Sequence, residues 1–201
     1  MIRRMGFSGS RLDSHSGPPV TSRHSVHGFS VTVVNTRPDI ETADVVRRLG
    51  NALALIEQHT PHYARHLRRD FTGVLVQRYA CRGAYFPDTR LCMVELTFCV
   101  NDGITEAQIA ATLLHEGMHA RLHALGFPLE MQDRARQERF CRKAEIEFGR
   151  LVPGGEAIVD RALQALALED QDVAPVIDER LAAERVARVD AEARRPERRE
   201  T

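Results

Sequence analysis

The feature that most constrains this sequence is a helical stretch from Thr105 to Leu125 whose two ends are both marked by specific residues. Thr105 is placed to cap the free N–H groups of the first turn, and Gln108, three residues later, is placed to bond back to the N–H of Thr105. At the other end Gly126 offers a left-handed residue, and Pro128 follows it. The sequence therefore predicts one helix with fixed boundaries.

Inside this helix lies His115-Glu116-Gly117-Met118-His119, an H-E-x-x-H pattern. Because each residue of a helix turns by about 100°, the two histidines lie about 40° apart on one face, one turn from each other. Two imidazoles at that spacing can converge on a single metal ion. Glu116 lies beside the same face, where it could hold a water molecule rather than the metal itself. The pattern favours a metal site over a solvent-facing helix with two ordinary histidines.

The opposite face of this helix is apolar, which predicts that it is buried against a core. Its members are small or apolar: Ile109, Leu113, Gly117, Ala120 and Ala124. A glycine in the middle of a helix costs about 1 kcal/mol relative to alanine. Gly117 therefore indicates close approach of another element or a functional reason.

Composition and charge exclude several classes of protein. The chain has 201 residues, of which 43% are hydrophobic, and its 28 basic residues balance 28 acidic residues. A net charge of zero gives no indication of a nucleic-acid partner, and no apolar run reaches membrane-spanning length. The N-terminus lacks the apolar block of a secretory signal. The four cysteines show no C-x-x-C spacing, so we expect reduced thiols in a cytoplasmic protein, with Cys92 and Cys99 as packing residues.

The composition also divides the chain into three parts. Residues 1–25 are rich in Ser, Gly, Arg and His and are predicted to be disordered. Residues 26–170 form the predicted folded domain. Residues 171–201 form a charged tail that is helical or disordered, since they lack the apolar periodicity needed to join a core.

The order of elements in the folded domain is typical of an α+β protein. Alternation predicts a first strand at residues 29–34, and helical periodicity follows from Pro38 to about Gln58. A basic stretch after Thr60-Pro61 is predicted to be a solvated face. Three strands are then expected at Val74–Tyr79, Gly83–Phe86 and Leu91–Val100, and helices after the H-E-x-x-H helix at about Met131–Arg150 and Glu156–Leu168. We expect a small antiparallel or mixed sheet packed on the N-terminal helix and the H-E-x-x-H helix, followed by C-terminal helices.

Two histidines leave a catalytic zinc site short of its usual third protein ligand. The residues that could supply it are His123, Glu130, Asp133, Glu138 and Glu145. His123 lies one further turn along the metal face, but three ligands on one straight helix span about 12 Å, too far for bonds of about 2 Å. Glu138 and Glu145 are nearly stacked along the next helix. Either could instead be surface charge paired with Arg142 or Arg134.

A strand, an H-E-x-x-H helix and a glutamate on the following helix resemble the gluzincin branch of the zincin metallopeptidases. Within that branch, the resemblance is to the small bacterial proteins of the ImmA/IrrE type. Those proteins also carry a histidine four residues after the motif and a ligand written E-x-x-A, where this chain has Glu138-Arg139-Phe140-Cys141. The resemblance covers residues 70–153. It implies a zinc peptidase with His115, His119 and Glu138 as ligands and Glu116 as general base, while Glu145 is a rival ligand or orients a ligand imidazole.

The implied activity is hydrolysis of a peptide bond in a peptide or protein substrate. Glu116 would accept a proton from the attacking water and return it to the leaving amine. Candidates for stabilising the oxyanion are Tyr85, Arg121 and His123. The strand Leu91–Val100 is expected to form the cleft edge that pairs with an extended substrate. Two alternatives stay open: a catalytically inactive, zinc-stapled module that binds a regulator or peptide, and a helical interaction protein in which the motif is accidental.

Overall fold

The structure is a computed structural model, and it describes residues 20–128, 133–173 and 178–193. In this part of the chain a five-stranded sheet is combined with helices, so the expected α+β class is confirmed. The strands are β1 (Val20–Val26), β2 (Phe29–Asn35), β3 (Gly73–Gln77), β4 (Gly83–Phe86) and β5 (Leu91–Glu95). The helices are α1 (Thr42–His59), α2 (Pro61–Asp70), α3 (Leu96–Val100), α4 (Glu106–Ala124), α5 (Arg134–Leu151), α6 (Glu156–Leu166), α7 (Asp170–Val173) and α8 (Glu179–Ala193).

The sheet is mixed, with strand order β1-β2-β3-β5-β4. Its three central strands, β2, β3 and β5, are parallel to one another. The two outer strands, β1 and β4, are antiparallel to their neighbours. In the described part of the chain β4 is therefore an edge strand, and β5 is paired on both sides.

The prediction of disorder for residues 1–25 is wrong for residues 20–25, which belong to β1. The reason is the turn His27-Gly28, where both residues have positive φ, 47° and 81°. Two such residues form the tight turn whose twist matches that of paired strands, so β1 folds back along the whole of β2. Residues 1–19 lie outside the described residues.

The single strand expected from Leu91 to Val100 is also wrong, because β5 ends at Glu95 and α3 follows at once. The Glu95 carboxylate accepts a hydrogen bond of 2.7 Å from the backbone N–H of Phe98 and so caps α3. Leu96, Phe98 and Cys99 are buried in α3. A short apolar run of this kind does not distinguish helix from strand by its periodicity.

The basic stretch after Thr60 is a helix, α2, which begins at Pro61, a residue favoured in the first helical turn. Its arginines are exposed, as expected, but Leu67 on its other face is buried. A Cβ built on Gly117 of α4 would lie 2.1 Å from Cδ2 of Leu67, so α2 and α4 pack at this glycine. The predicted close approach at Gly117 is confirmed.

The central helix α4 has the predicted capping box. The Thr105 side chain accepts a hydrogen bond from the N–H of Gln108 at 3.2 Å, and the Gln108 side chain accepts one from the N–H of Thr105 at 2.9 Å. Ile109 and Leu113 are fully buried, whereas Ala124, expected on the same stripe, is exposed. None of the helices within the described ranges is both long and apolar enough to cross a membrane.

Candidate metal centre

The packing of α5 against α4 brings a glutamate between the two histidines of the H-E-x-x-H pattern. One oxygen of Glu138 lies 3.2 Å from Nε2 of His115, and the other lies 3.4 Å from Nε2 of His119. The two imidazole centroids are 5.0 Å apart. Ligand atoms of a tetrahedral zinc site with bonds of about 2 Å are roughly 3.3 Å apart. The spacing between Glu138 and each histidine therefore fits one metal ion.

A sulfur atom lies close to the same histidines. His115, His119 and Cys141 each have one potential ligand atom, and these three atoms lie within 4.8 Å of one another. Cys141 is fully buried, and this burial raises the pKa of its thiol well above the ordinary value. Glu138 and Cys141 are thus two different candidates for the ligand that joins the histidines, and the contacts of the carboxylate with both Nε2 atoms favour Glu138.

Glu145 lies on the other side of His115. Its Oε1 is 2.7 Å from Nδ1 of His115 and accepts a hydrogen bond from Arg142 at 2.7 Å, and its Oε2 accepts one from Arg161 at 3.1 Å. The side chain of Glu145 is only 1% exposed. An imidazole that donates from Nδ1 keeps Nε2 free to bind a metal, so a carboxylate in the position of Glu145 would orient the ring rather than compete for an ion.

The electrostatics of the site follow from these contacts. Burial by itself lowers the pKa of His115, but hydrogen bonds to Glu138 and Glu145 outweigh burial and raise that pKa to about 10. Burial raises the pKa of Glu138, yet hydrogen bonds to His115 and His119 prevail and lower it well below the ordinary range. The metal-free site therefore holds a positive charge on His115 between two carboxylates, where a metal cation would also be stabilised.

Glu116 lies on the cleft side of α4 and is 7% exposed, and burial raises the pKa of its carboxyl group. The edge strand β4 passes directly beside it. A Cβ built on Gly83 would lie 2.9 Å from Oε1 of Glu116 and 2.7 Å from Cγ2 of Thr112. A glycine at this position therefore permits the strand to approach the carboxylate.

The site opens into a cleft of about 1260 Å³. His115, Glu116, His119 and Glu138 line it together with residues of β4 and α8. The expectation that the strand beginning at Leu91 forms the cleft edge is wrong, because β5 is covered on that side by β4. The edge available to an extended ligand belongs to β4.

The other candidate residues are distributed as follows. Tyr85 lines the cleft, and its hydroxyl lies 3.0 Å from Nδ1 of His123. Arg121 faces Asp70 of α2 at 3.9 Å. Asp133 precedes α5 and is not among the described residues that line the cleft. Glu130 lies outside the described residues.

Sequence reasoning missed two contributors to this site. Cys141 was interpreted as a member of the buried apolar stripe of this helix and as the small residue of an E-x-x-A pattern, although its spacing of three residues from Glu138 puts both on one helix face. Arg161 comes from α6, and no local pattern connects it with Glu145. Comparisons of this chain with models of known families, with curated proteins and with solved structures found no match.

Proposed function

We propose that the protein is a zinc-dependent hydrolase of peptide bonds, with His115, His119 and Glu138 as metal ligands and Glu116 as general base. The observation that carries this proposal is the Glu138 carboxylate, whose oxygens lie 3.2 and 3.4 Å from the Nε2 atoms of the two histidines. Three ligands that leave one position open are the usual arrangement of a catalytic zinc site.

In the proposed reaction the metal and the protein side chains have different roles. When bound, zinc supplies Lewis-acid chemistry, which polarises a carbonyl group and makes a water molecule easier to deprotonate. Glu116 takes the proton from the attacking water and delivers it to the leaving nitrogen. Glu145 holds His115 in the orientation that binding requires.

A peptide substrate is supported by the edge of β4. An edge strand presents backbone N–H and C=O groups that can pair with an extended chain. The contact of Gly83 with Glu116 means that a peptide paired with β4 passes next to the general base. A peptide bound in this way would have its backbone near Glu116 and the proposed metal ligands.

A second candidate function is favoured by Cys141. A thiolate added to two histidines and one carboxylate completes four protein ligands, and closed sites of this kind are structural rather than catalytic. The protein would then be a zinc-stapled binding module. Cobalt substitution separates the two functions, since thiolate ligation gives an intense near-ultraviolet charge-transfer band that disappears in Cys141→Ala.

The proposed function is tested by metal analysis of protein purified without a histidine tag. We expect one zinc per chain, lost in the His115→Ala/His119→Ala double variant, because too few ligands then remain. Glu116→Gln should keep the metal but abolish cleavage of a mixture of synthetic peptides. Glu106→Gln, the other glutamate of α4, is the matched control. Full zinc content in the double variant, or unchanged cleavage by Glu116→Gln, contradicts the proposal.

A further inference from the structure

The outer wall of the cleft is formed by helix α8. Four of its residues line the cleft, and their spacing puts them on one helix face: Ala183, Val186, Ala187 and Asp190. Leu181 and Val189, which are not among the cleft residues, are 41% and 49% exposed. One face of the helix therefore borders the cleft, although Ala183 and Ala187 on that face remain exposed, and the other face is towards solvent.

One carboxylate fastens the end of α8 to the body of the protein. Nε of Arg78 donates to both oxygens of Asp190, at 2.9 and 3.1 Å, and a guanidinium nitrogen of Arg37 lies 3.3 Å from Oδ1. Asp190 is 8% exposed although the described residues around it are mostly exposed. The other described ion pair of α8, Arg180 with Glu184, lies within the helix itself.

Both arginines keep partners if Asp190 leaves. Arg78 also donates to Glu95 and, at 3.0 Å, to the hydroxyl of Thr97, and Arg37 pairs with Asp39 at 2.6 Å. A buried charge left without a partner would make opening costly. Since neither arginine is left alone, release of α8 breaks the bonds of Asp190 without creating such a charge in the body of the protein.

We propose that α8 is a lid over the cleft, and that the ion pairs of Asp190 with Arg78 and Arg37 hold it shut. The closed helix limits access to the edge of β4 and to the metal centre. As a gate to peptide hydrolysis this inference rests on the function proposed above. The movement of the lid itself does not require a metal.

A cysteine inside the cleft offers a direct reporter. Cys81 lines the cleft and is half-buried, with its thiol donating to the carbonyl of Gly83 at 2.9 Å. The other three cysteines, Cys92, Cys99 and Cys141, are fully buried. Opening of α8 should therefore raise the rate at which a thiol reagent reacts with Cys81, whereas the other three cysteines react only when the core unfolds.

The test is the rate at which Ellman's reagent labels the full-length protein, with the modified cysteine identified by mass spectrometry. Asp190→Asn removes the charge that holds α8, and Glu184→Gln is the matched control, an exposed carboxylate on the same helix. We expect Cys81 to react at least about tenfold faster in Asp190→Asn, because the change weakens the charge-assisted contacts with both Arg78 and Arg37, and to react as in the parent in Glu184→Gln. Arg37→Gln, which leaves Arg78 paired with Asp190, should give an intermediate rate.

An unchanged rate of Cys81 labelling in Asp190→Asn would contradict the proposal that α8 is a lid. Faster labelling that appears together at Cys81 and at the three buried cysteines also overturns it, because Asp190 would then stabilise the whole fold rather than one helix. The measurement is made on protein treated with a chelator. A protein that binds no zinc but shows faster labelling of Cys81 alone would refute the proposed function and leave the lid supported.

Discussion

Glu138 and Glu145 contact opposite nitrogens of the same imidazole, and this difference sets their roles. The carboxylate of Glu138 lies beside Nε2 of His115 and of His119. The carboxylate of Glu145 is hydrogen-bonded to Nδ1 of His115 and forms ion pairs with two arginines. A carboxylate at Nε2 can share a metal with both histidines. A carboxylate at Nδ1 acts on the metal only through the ring that it orients.

We therefore expect Glu138→Ala to weaken zinc binding more than Glu145→Ala does. Loss of Glu138 would remove a proposed ligand, and loss of Glu145 should cost about 10- to 100-fold in affinity, as for other partners of ligand histidines. Competition with a chromogenic chelator measures both values, and Glu147→Ala, an exposed glutamate of the same helix, is the control. The reverse ranking would mean that Glu145 is the ligand.

The raised pKa of His115 predicts how the stability of the metal-free protein depends on pH. The pKa is about 10 in the folded protein, against an ordinary value of 6.5. A group with a raised pKa stabilises the folded state fully below the unfolded value and loses that contribution as the pH rises through the folded value. The lowered pKa values of Glu138 and Glu145 affect the free energy of unfolding at acidic pH instead, where these carboxylates become protonated.

Urea unfolding of chelator-treated protein should therefore show a free energy of unfolding that falls between pH 6.5 and about 10. In His115→Gln the decrease below about pH 8 should be much smaller, because the titrating group is gone. Above that pH the cysteine thiols, whose pKa values burial also raises, still contribute. His62→Gln, a histidine of α2 outside the cleft lining, is the control and should keep the slope. A slope in His115→Gln equal to that of the parent would rule out His115 as its source.

At the scale of elements, the contact between α2 and α4 depends on the absence of a side chain at Gly117. Alanine there gains about 1 kcal/mol of helix propensity, but its Cβ would lie 2.1 Å from Cδ2 of the buried Leu67. Overpacking of a well-packed core typically costs about 1–3 kcal/mol. The balance favours glycine.

We expect Gly117→Ala to lower the free energy of unfolding by about 1 kcal/mol, since overpacking exceeds the gain in propensity. Leu67→Ala opens a cavity by itself, yet in the double variant the new methyl group partly fills it. The two changes should therefore be less costly together than their sum, as measured by a double-mutant cycle in urea. A stabilised Gly117→Ala variant, or strictly additive effects, would contradict the described packing.

For the molecule as a whole, β1 extends the sheet beyond the part that the composition marks as folded. It pairs with β2 along seven residues, and Val26 at its end packs against the core. Removing it would expose the edge of β2 and lose the partly buried face of the strand. Deletion of residues 1–26 should therefore destabilise the protein.

We expect this deletion to lower the melting temperature by roughly 4–8 °C, which corresponds to about 2 kcal/mol for a domain of this size. Deletion of residues 1–19 removes no strand residue, and we expect the melting temperature to change little. Differential scanning calorimetry of the two truncated proteins against the full chain measures the difference. Equal melting temperatures in both truncations would show that β1 contributes nothing to stability.

What the sequence alone determined is local. The start and end of α4, its two histidines on one face and the strand β4 follow from caps, helical periodicity and turn residues, whose effects reach no further than a few positions along the chain. The close packing at Gly117 could also be inferred from the sequence, because a glycine in the middle of a helix is unfavourable unless something packs against it.

Tertiary structure decided the rest, because it depends on residues that are distant in sequence. The short apolar run after Glu95 is compatible with a strand or a helix, and the Glu95 carboxylate that caps α3 is also bound by Arg78, which is distant in sequence. Glu138 and Glu145 are equivalent in the helical pattern, and only the packing of α5 on α4 assigns one to Nε2 and the other to Nδ1 of His115. Asp190 belongs to a tail without a continuous apolar stripe, and its ion pairs with Arg78 and Arg37 exist only because the segments that follow β3 and β2 lie beside α8.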